Sequence, residues 1–158
     1  MTVKNLTIIF ISALMAISCR NSGTEGPFRS TIEMCDTSST YSVSVYALFP
    51  ADFPYAEIPL HIEAVSPCGI KYTEDITFPC GYKSISQYRK AHPEDDRIDV
   101  SRSGGTYAAV WLWRDNIRPS EYGKWEITIG TDKKYGSVKT LKAVCLRKKD
   151  GKDNERKR

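Results

Sequence analysis

Histidine is scarce in this sequence: His61 and His92 are the only two among 158 residues. Chemistry that needs an imidazole base therefore has two places to be built. Neither is framed by GxSxG, HExxH or a glycine-rich phosphate loop. His61 falls on the polar face of an alternating segment, which is a structural position. His92 lies in "KAHPEDD", where Glu94, Asp95 and Asp96 offer oxygen ligands, but the spacing fits no calcium loop and reads as a solvated acidic turn. CxxC is missing as well, and the intervals between Cys35, Cys68, Cys80 and Cys145 form no zinc pattern. The expectation is a non-enzymatic chain with no catalytic, metal-binding or cofactor-binding residues.

One-sided charge is missing from the body of the chain. The formal net charge is +4, yet "RKKDGKDNERKR" at 147–158 alone carries seven basic and three acidic residues. Between the amino-terminal Lys4 and that tail, fifteen basic residues face sixteen acidic ones. A near-neutral body argues against a nucleic-acid-binding face. The tail reads as a solvated end.

Apolar runs long enough to span a bilayer are missing too. Residues 6–17 are an apolar stretch behind Lys4, the length of a signal-peptide core and short for a transmembrane helix. The stretch ends in "MAISC", and a small residue followed at once by cysteine resembles a bacterial lipobox, with Ala16 where leucine is usual. In such proteins a diacylglycerol is attached to the thiol, the peptide is cut before it, and the new amino group is acylated. Several acyl chains on Cys19 would then hold the protein at a membrane, each buried methylene adding about 0.8 kcal/mol. Arg20 follows Cys19 in place of the aspartate that retains lipoproteins at the inner membrane, and residues 20–24 lack the acidic cluster of surface-exported ones. The expected location is the outer membrane, lipid-anchored and facing the periplasm.

What the chain has is alternation. Tyr41, Val43, Val45, Ala47 and Phe49 alternate with more polar residues, as do Ile58, Leu60, Ile62 and Ala64, and Tyr72, Ile76 and Phe78. A period of two marks half-buried strands. These three segments read as a meander, with "SPCG" (66–69) as a turn. Pro59 interrupts the second, and proline has no N–H to give to a ladder, so an edge or a bulge is expected there. Residues 79–104 are polar and break the rhythm, with at most one helical turn near 84–90. Three more strands are expected at 106–113, 124–130 and 137–147. The fold class is all-β: an antiparallel β-sandwich, immunoglobulin-like or jelly-roll-like, of about six to eight strands. The organisation is a signal peptide (1–18), a lipidated tether (19–30), the sandwich (31–147) and a charged tail (148–158).

Four cysteines outside the cytoplasm are disulfide candidates: Cys35, Cys68, Cys80 and Cys145. They allow three pairings. If 57–65 and 71–78 form a hairpin, Cys68 lies at its turn and Cys80 at its open end, about 25 Å apart, beyond the reach of a bridge. A meander would bring Cys35 to Cys68 and leave Cys80 for Cys145. "TYAAVWLW" (106–113) is apolar on both faces. It is either a central strand covered on both sides or one whose aromatic face (Tyr107, Trp111, Trp113) is a contact surface, together with the loop 80–104.

Two segments carry a likeness to a known family. "ADFPYAEIPLHIEAVSPCGIKYTEDITFP" (51–79) and "NIRPSEYGKWEITIG" (116–130) resemble the gliding-motility-associated lipoprotein GldH family. The shared features are an aromatic-Pro-Tyr corner, a strand running into Ser-Pro-x-Gly, and an Asn-(Val/Ile)-Arg segment followed by Gly-Lys-aromatic. The chain departs from the family at 80–104, where an Asp-Gly-aromatic-Gly region is usual, and in its extra cysteines. The resemblance implies an envelope lipoprotein without catalytic activity, with protein partners in a gliding or secretion apparatus. A carbohydrate- or lipid-binding sandwich is the other reading.

Overall fold

Alternating apolar residues give strands that must each bury one face, and here eight strands do so against one another. A computed structural model of the chain describes residues 27–149. The signal-peptide and lipid-attachment expectations, Cys19 included, and the tail from 150 onward lie outside the described residues. The strands are β1 (Phe28–Met34), β2 (Ser39–Pro50), β3 (Glu57–Val65), β4 (Lys71–Pro79), β5 (Ile98–Ser103), β6 (Thr106–Ile117), β7 (Gly123–Gly130) and β8 (Thr140–Lys149). A helix, α1 (Tyr82–Ala91), joins β4 to β5. One sheet has the order β1-β7-β3-β4 and the other β5-β6-β2-β8. Every pairing is antiparallel. The all-β sandwich expected from the sequence is the fold observed.

The core lies between the sheets. From β2 it takes Val43, Val45, Ala47 and Phe49, and from β3 Ile58, Leu60 and Ile62, all essentially inaccessible to solvent. Phe78, Ile129 and Leu141 complete the layer. Each of these side chains other than Ala47 contributes about 1.5–3 kcal/mol by leaving water.

The three-strand meander does not form. β3 and β4 do make a hairpin, paired from Glu57↔Pro79 to Val65↔Lys71. β2, however, lies in the opposite sheet between β6 and β8. The corner at 51–56 carries the chain from one sheet to the other. Phe53 donates its N–H to the Pro50 carbonyl at 3.1 Å, closing a turn. Its ring lies 4.6 Å from Phe49 and 5.3 Å from Tyr55, and Tyr55 meets Tyr135 edge-on at 4.7 Å. This aromatic-proline corner is thus packed into the domain by its own rings.

Pro59 sits in a strand that has neighbours on both sides, yet β7 reaches only as far as His61. Pro59 itself pairs on one side alone, with Thr77. Its missing N–H faces no ladder, which satisfies the edge requirement locally.

Three elements differ from the sequence reading. β1 begins at Phe28, inside the segment expected to be tether, because Ile32 and Met34 bury against the core. The polar stretch 79–104 holds a full helix and an edge strand. Helix α1 buries a single residue, Ile85, and is polar overall, so its apolar signal is short and weak. It is started by tertiary contacts: the Cys80 and Gly81 N–H groups both donate to the Ala56 carbonyl at 2.8 Å. Arg89 and Lys90 in its last turn suit the negative end of the helix dipole.

Candidate functional site

Of the expected contact residues on β6, Tyr107 is buried in the core, whereas Trp111 and Trp113 are half-buried and line cavities. Tyr107 is 2% exposed. Its ring stacks on Phe49 at 5.2 Å, and its hydroxyl donates to the Cys80 carbonyl at 2.8 Å. Burial, with the Cys80 sulfur nearby, pushes the Tyr107 phenol up to about 12. Trp111 packs edge-on against Phe78, and with Ile85 and Tyr88 of α1 it lines a cavity of about 440 Å³. The other face of β6 (Thr106, Ala108, Val110, Leu112) is half-buried and carries no aromatic ring.

Trp113 belongs to the feature that most resembles a binding site. Beyond the end of β5, the two sheets part and leave a cleft of about 680 Å³, a volume suited to a small ligand. Its floor is apolar: Met34, Val43, Ile62, Ala64, Trp125 and Ile127 reach it from four strands. Its mouth is polar and mixed, with Thr73 and Glu74 of β4 on one side and Arg114 and Ser120 on the other. Tyr72 stands at the rim, 45% exposed, its ring 5.9 Å from that of Trp125.

A bulge makes this mouth. β2 and β6 pair Val43↔Arg114 and then Ser44↔Leu112, so Trp113 is an extra residue. An extra residue re-aims side chains that strict alternation would send to opposite faces. Arg114 consequently lies over the Trp113 ring, with its guanidinium carbon 4.7 Å from the centroid. Trp113 donates its indole N–H to Glu74 Oε2 at 3.2 Å, and Arg114 pairs with the same oxygen. Glu74 belongs to one sheet and both partners to the other, so this contact spans the cleft. The two charged side chains are 38% and 44% exposed. A pair that open to solvent contributes at most about 1 kcal/mol. The latch is therefore weak relative to the core it covers.

The other polar clusters among the described residues are ion pairs and hydrogen-bonded turns. His61 and Asp75 pair at 2.6 Å on the exposed outer face of the β3–β4 hairpin. Asp95 accepts hydrogen bonds from Arg97 and Tyr88, which hold its carboxyl far below the usual range and commit both oxygens. His92 approaches Glu94 at 3.7 Å and packs its ring on Tyr88, with centroids 4.7 Å apart. Among the described residues, no three His, Cys, Asp or Glu side chains converge as a metal site would require.

The expected disulfides are corrected by topology. All four cysteines are free thiols. Cys80 follows β4 at the end of the sandwich where Phe49 pairs with Tyr107, whereas Cys145 pairs with Val43. Six residues of β2 separate those levels, about 20 Å of strand, too far for a bridge. Cys35 and Cys68 lie at one end of the same sheet, but β7 runs between β1 and β3 and sets them about 10 Å apart. Cys68 instead donates its thiol to Glu121 at 2.8 Å. Cys80 is buried, and desolvation pushes its thiol up to about 12.

No protein-family model, curated protein or solved structure matches this chain. The reading of its function rests on the geometry above and on the segments 51–79 and 116–130. Sequence reasoning missed the cleft because its making depends on the bulge at Trp113 and on where β5 stops. The apolar–apolar pattern of "TYAAVWLW" was the available signal, and it left the direction of the face open.

Proposed function

We propose that this protein is a non-enzymatic envelope lipoprotein, held at the outer membrane through Cys19, whose sandwich takes an apolar ligand chain into the cleft between its sheets. The observation that carries this reading is the cleft itself: a concave, apolar floor with a few polar groups at its mouth, the usual form of a small-ligand site. A broad, flat apolar patch would have favoured protein contacts instead. An acyl chain fits the chemistry, with Thr73, Ser120 and Arg114 placed to meet a polar head.

Titrating the full-length chain with dodecanoate while following tryptophan fluorescence tests this. Trp113 and Trp125 both line the cleft, so saturable blue-shifted emission is expected. Ala64→Phe fills the floor and should abolish the response without unfolding the domain. An unsaturable signal, or an equal one in the filled variant, would defeat the lipid-binding reading. Anchoring has its own test: Cys19→Ala should move the protein out of the membrane fraction.

A second reading follows from the exposed apolar side chains beside the mouth. Ile70 and Tyr122 are 49% and 38% exposed on the turns that flank it. With Tyr72 they offer a rim for a protein partner in an envelope assembly, as the GldH resemblance implies. Capture of a defined envelope protein that is lost in Tyr72→Ala and unaffected by dodecanoate would favour this reading.

A further inference from the structure

We infer that the end of the sandwich opposite the cleft is a membrane-contacting face, drawn onto anionic phospholipid headgroups, so that the cleft opens away from the bilayer that anchors the protein. The inference rests on the anchoring through Cys19 proposed above. It adds what the tethered domain sits on and which way its ligand site looks.

The length of the leash is the first argument. Seven residues, 20–26, separate Cys19 from Pro27, where the described chain begins. Drawn out straight, seven residues reach about 25 Å at most. Strand β1 runs toward the cleft: Phe28 pairs with Ile129 at the far end, whereas Ile32 and Met34 line the cleft. Ser30 Oγ accepts the Ala143 N–H, and Ala143 pairs with Val45, which sets β1 level with β2. From Phe28 to the level of Ser39, at the cleft end of β2, is then about 26 Å of strand. The leash would have to spend its whole length running back along the domain to bring the cleft end to the bilayer. In the other direction Pro50, the last residue of β2, is only about 10 Å away along the strands.

Charge is the second argument. On the connections 51–56 and 131–139 and the element ends that flank them, the exposed bases are Arg29, Lys83, Arg102, Lys133, Lys134 and Lys139, against the acids Asp52, Glu57 and Asp132. None of these bases forms an ion pair among the described residues. At the cleft end, by contrast, Lys71, Arg114, Arg147 and Lys148 are held by Glu63, Glu74, Asp36 and Asp115. Bases without a carboxylate partner suit an anionic surface, and each one brought to it is worth about a fivefold gain in association. Tyr55 adds a ring at the same end, 37% exposed and braced edge-on by Tyr135, over which Lys134 lies. Such amphipathic rings sit well at headgroup level. With this end down, Thr73, Glu74, Arg114 and Ser120 at the cleft mouth face the aqueous side, and the ligand enters from there.

The test is a lysine footprint of the acylated chain on phosphatidylglycerol vesicles, on phosphatidylcholine vesicles and in neutral detergent. A water-soluble acetylating ester labels exposed lysines, and peptide mass spectrometry reads each one. Lys133, Lys134 and Lys139 should react several-fold more slowly on phosphatidylglycerol than in detergent, while Lys71 and Lys124 react equally in both. The protection should weaken on phosphatidylcholine and in about 1 M salt, where the screening length falls to about 3 Å. Protection of Lys71 and Lys124 in place of the other three overturns the proposal. Equal labelling of every lysine on vesicles that carry the protein does so too, as does protection that is the same on both lipids. Protection that persists in detergent and grows with protein concentration assigns this end to a second copy and likewise overturns it. A chain that never floats with the vesicles defeats the anchoring reading, a separate failure, and removes this proposal with it.

Discussion

Glu74 on one sheet binds Trp113 and Arg114 on the other through a single carboxylate oxygen. A junction that joins two sheets at one atom, over an apolar space, is a gate if the cost of opening it is small. Exposure of both charges makes it so. Glu74→Gln keeps the shape and removes the charge. The expected result is faster association with dodecanoate and a change in unfolding free energy of less than about 1 kcal/mol. Stopped-flow fluorescence and denaturant melts measure the two quantities. A loss of several kcal/mol would mean that Glu74 holds the sheets together and does not gate them.

The buried pair at the closed end predicts the response to alkali. Unfolded, the Cys80 thiol ionises at 9.0 and the Tyr107 phenol at 10.0, whereas in the fold each is raised to about 12, chiefly by desolvation. The folded state therefore holds both protons more tightly than the unfolded chain does. The stability this linkage contributes is complete below pH 9 and is lost as the pH rises from 9 through 12. Melting temperatures across that range should fall steeply for the wild type. The double variant Cys80→Ala, Tyr107→Phe should give a flatter curve. At neutral pH, Tyr107→Phe alone should cost about 0.5–1.5 kcal/mol, because its hydroxyl bonds the Cys80 carbonyl. Parallel pH curves for the two proteins would refute the assignment.

Much of this architecture was legible from alternation alone. The core positions on β2 and β3 are those their period of two marks, since each strand buries one face and the pattern records which. The same pattern is silent about the sheet to which a strand belongs. Val43 and Ile62 carry identical signals and sit in opposite sheets. That one ambiguity produced the false meander and, through it, the false Cys35–Cys68 pairing. Helix α1 was hidden for a different reason: with Ile85 alone buried, its stability comes from the Ala56 carbonyl and from packing beside β5. The cleft was hidden because a bulge breaks the very periodicity that sequence reading uses.

Gly123 offers a test of how tightly the cleft end of the domain is built. It opens β7 with φ +142°, a backbone geometry L side chains rarely adopt. A Cβ there would lie 3.0 Å from Cγ of Pro67, in the β3–β4 turn. Gly123→Ala should therefore destabilise through two separable causes, backbone strain of about 1–3 kcal/mol and a collision with the proline ring. Pro67→Ala removes the ring and leaves the strain. The double variant should thus be less destabilised than the sum of the single ones, by an interaction of at least about 0.5 kcal/mol. Strict additivity in urea melts would show that the turn moves aside without cost. The approach of β7 to the β3–β4 turn would then be loose, and the cleft between the sheets would not have a fixed width.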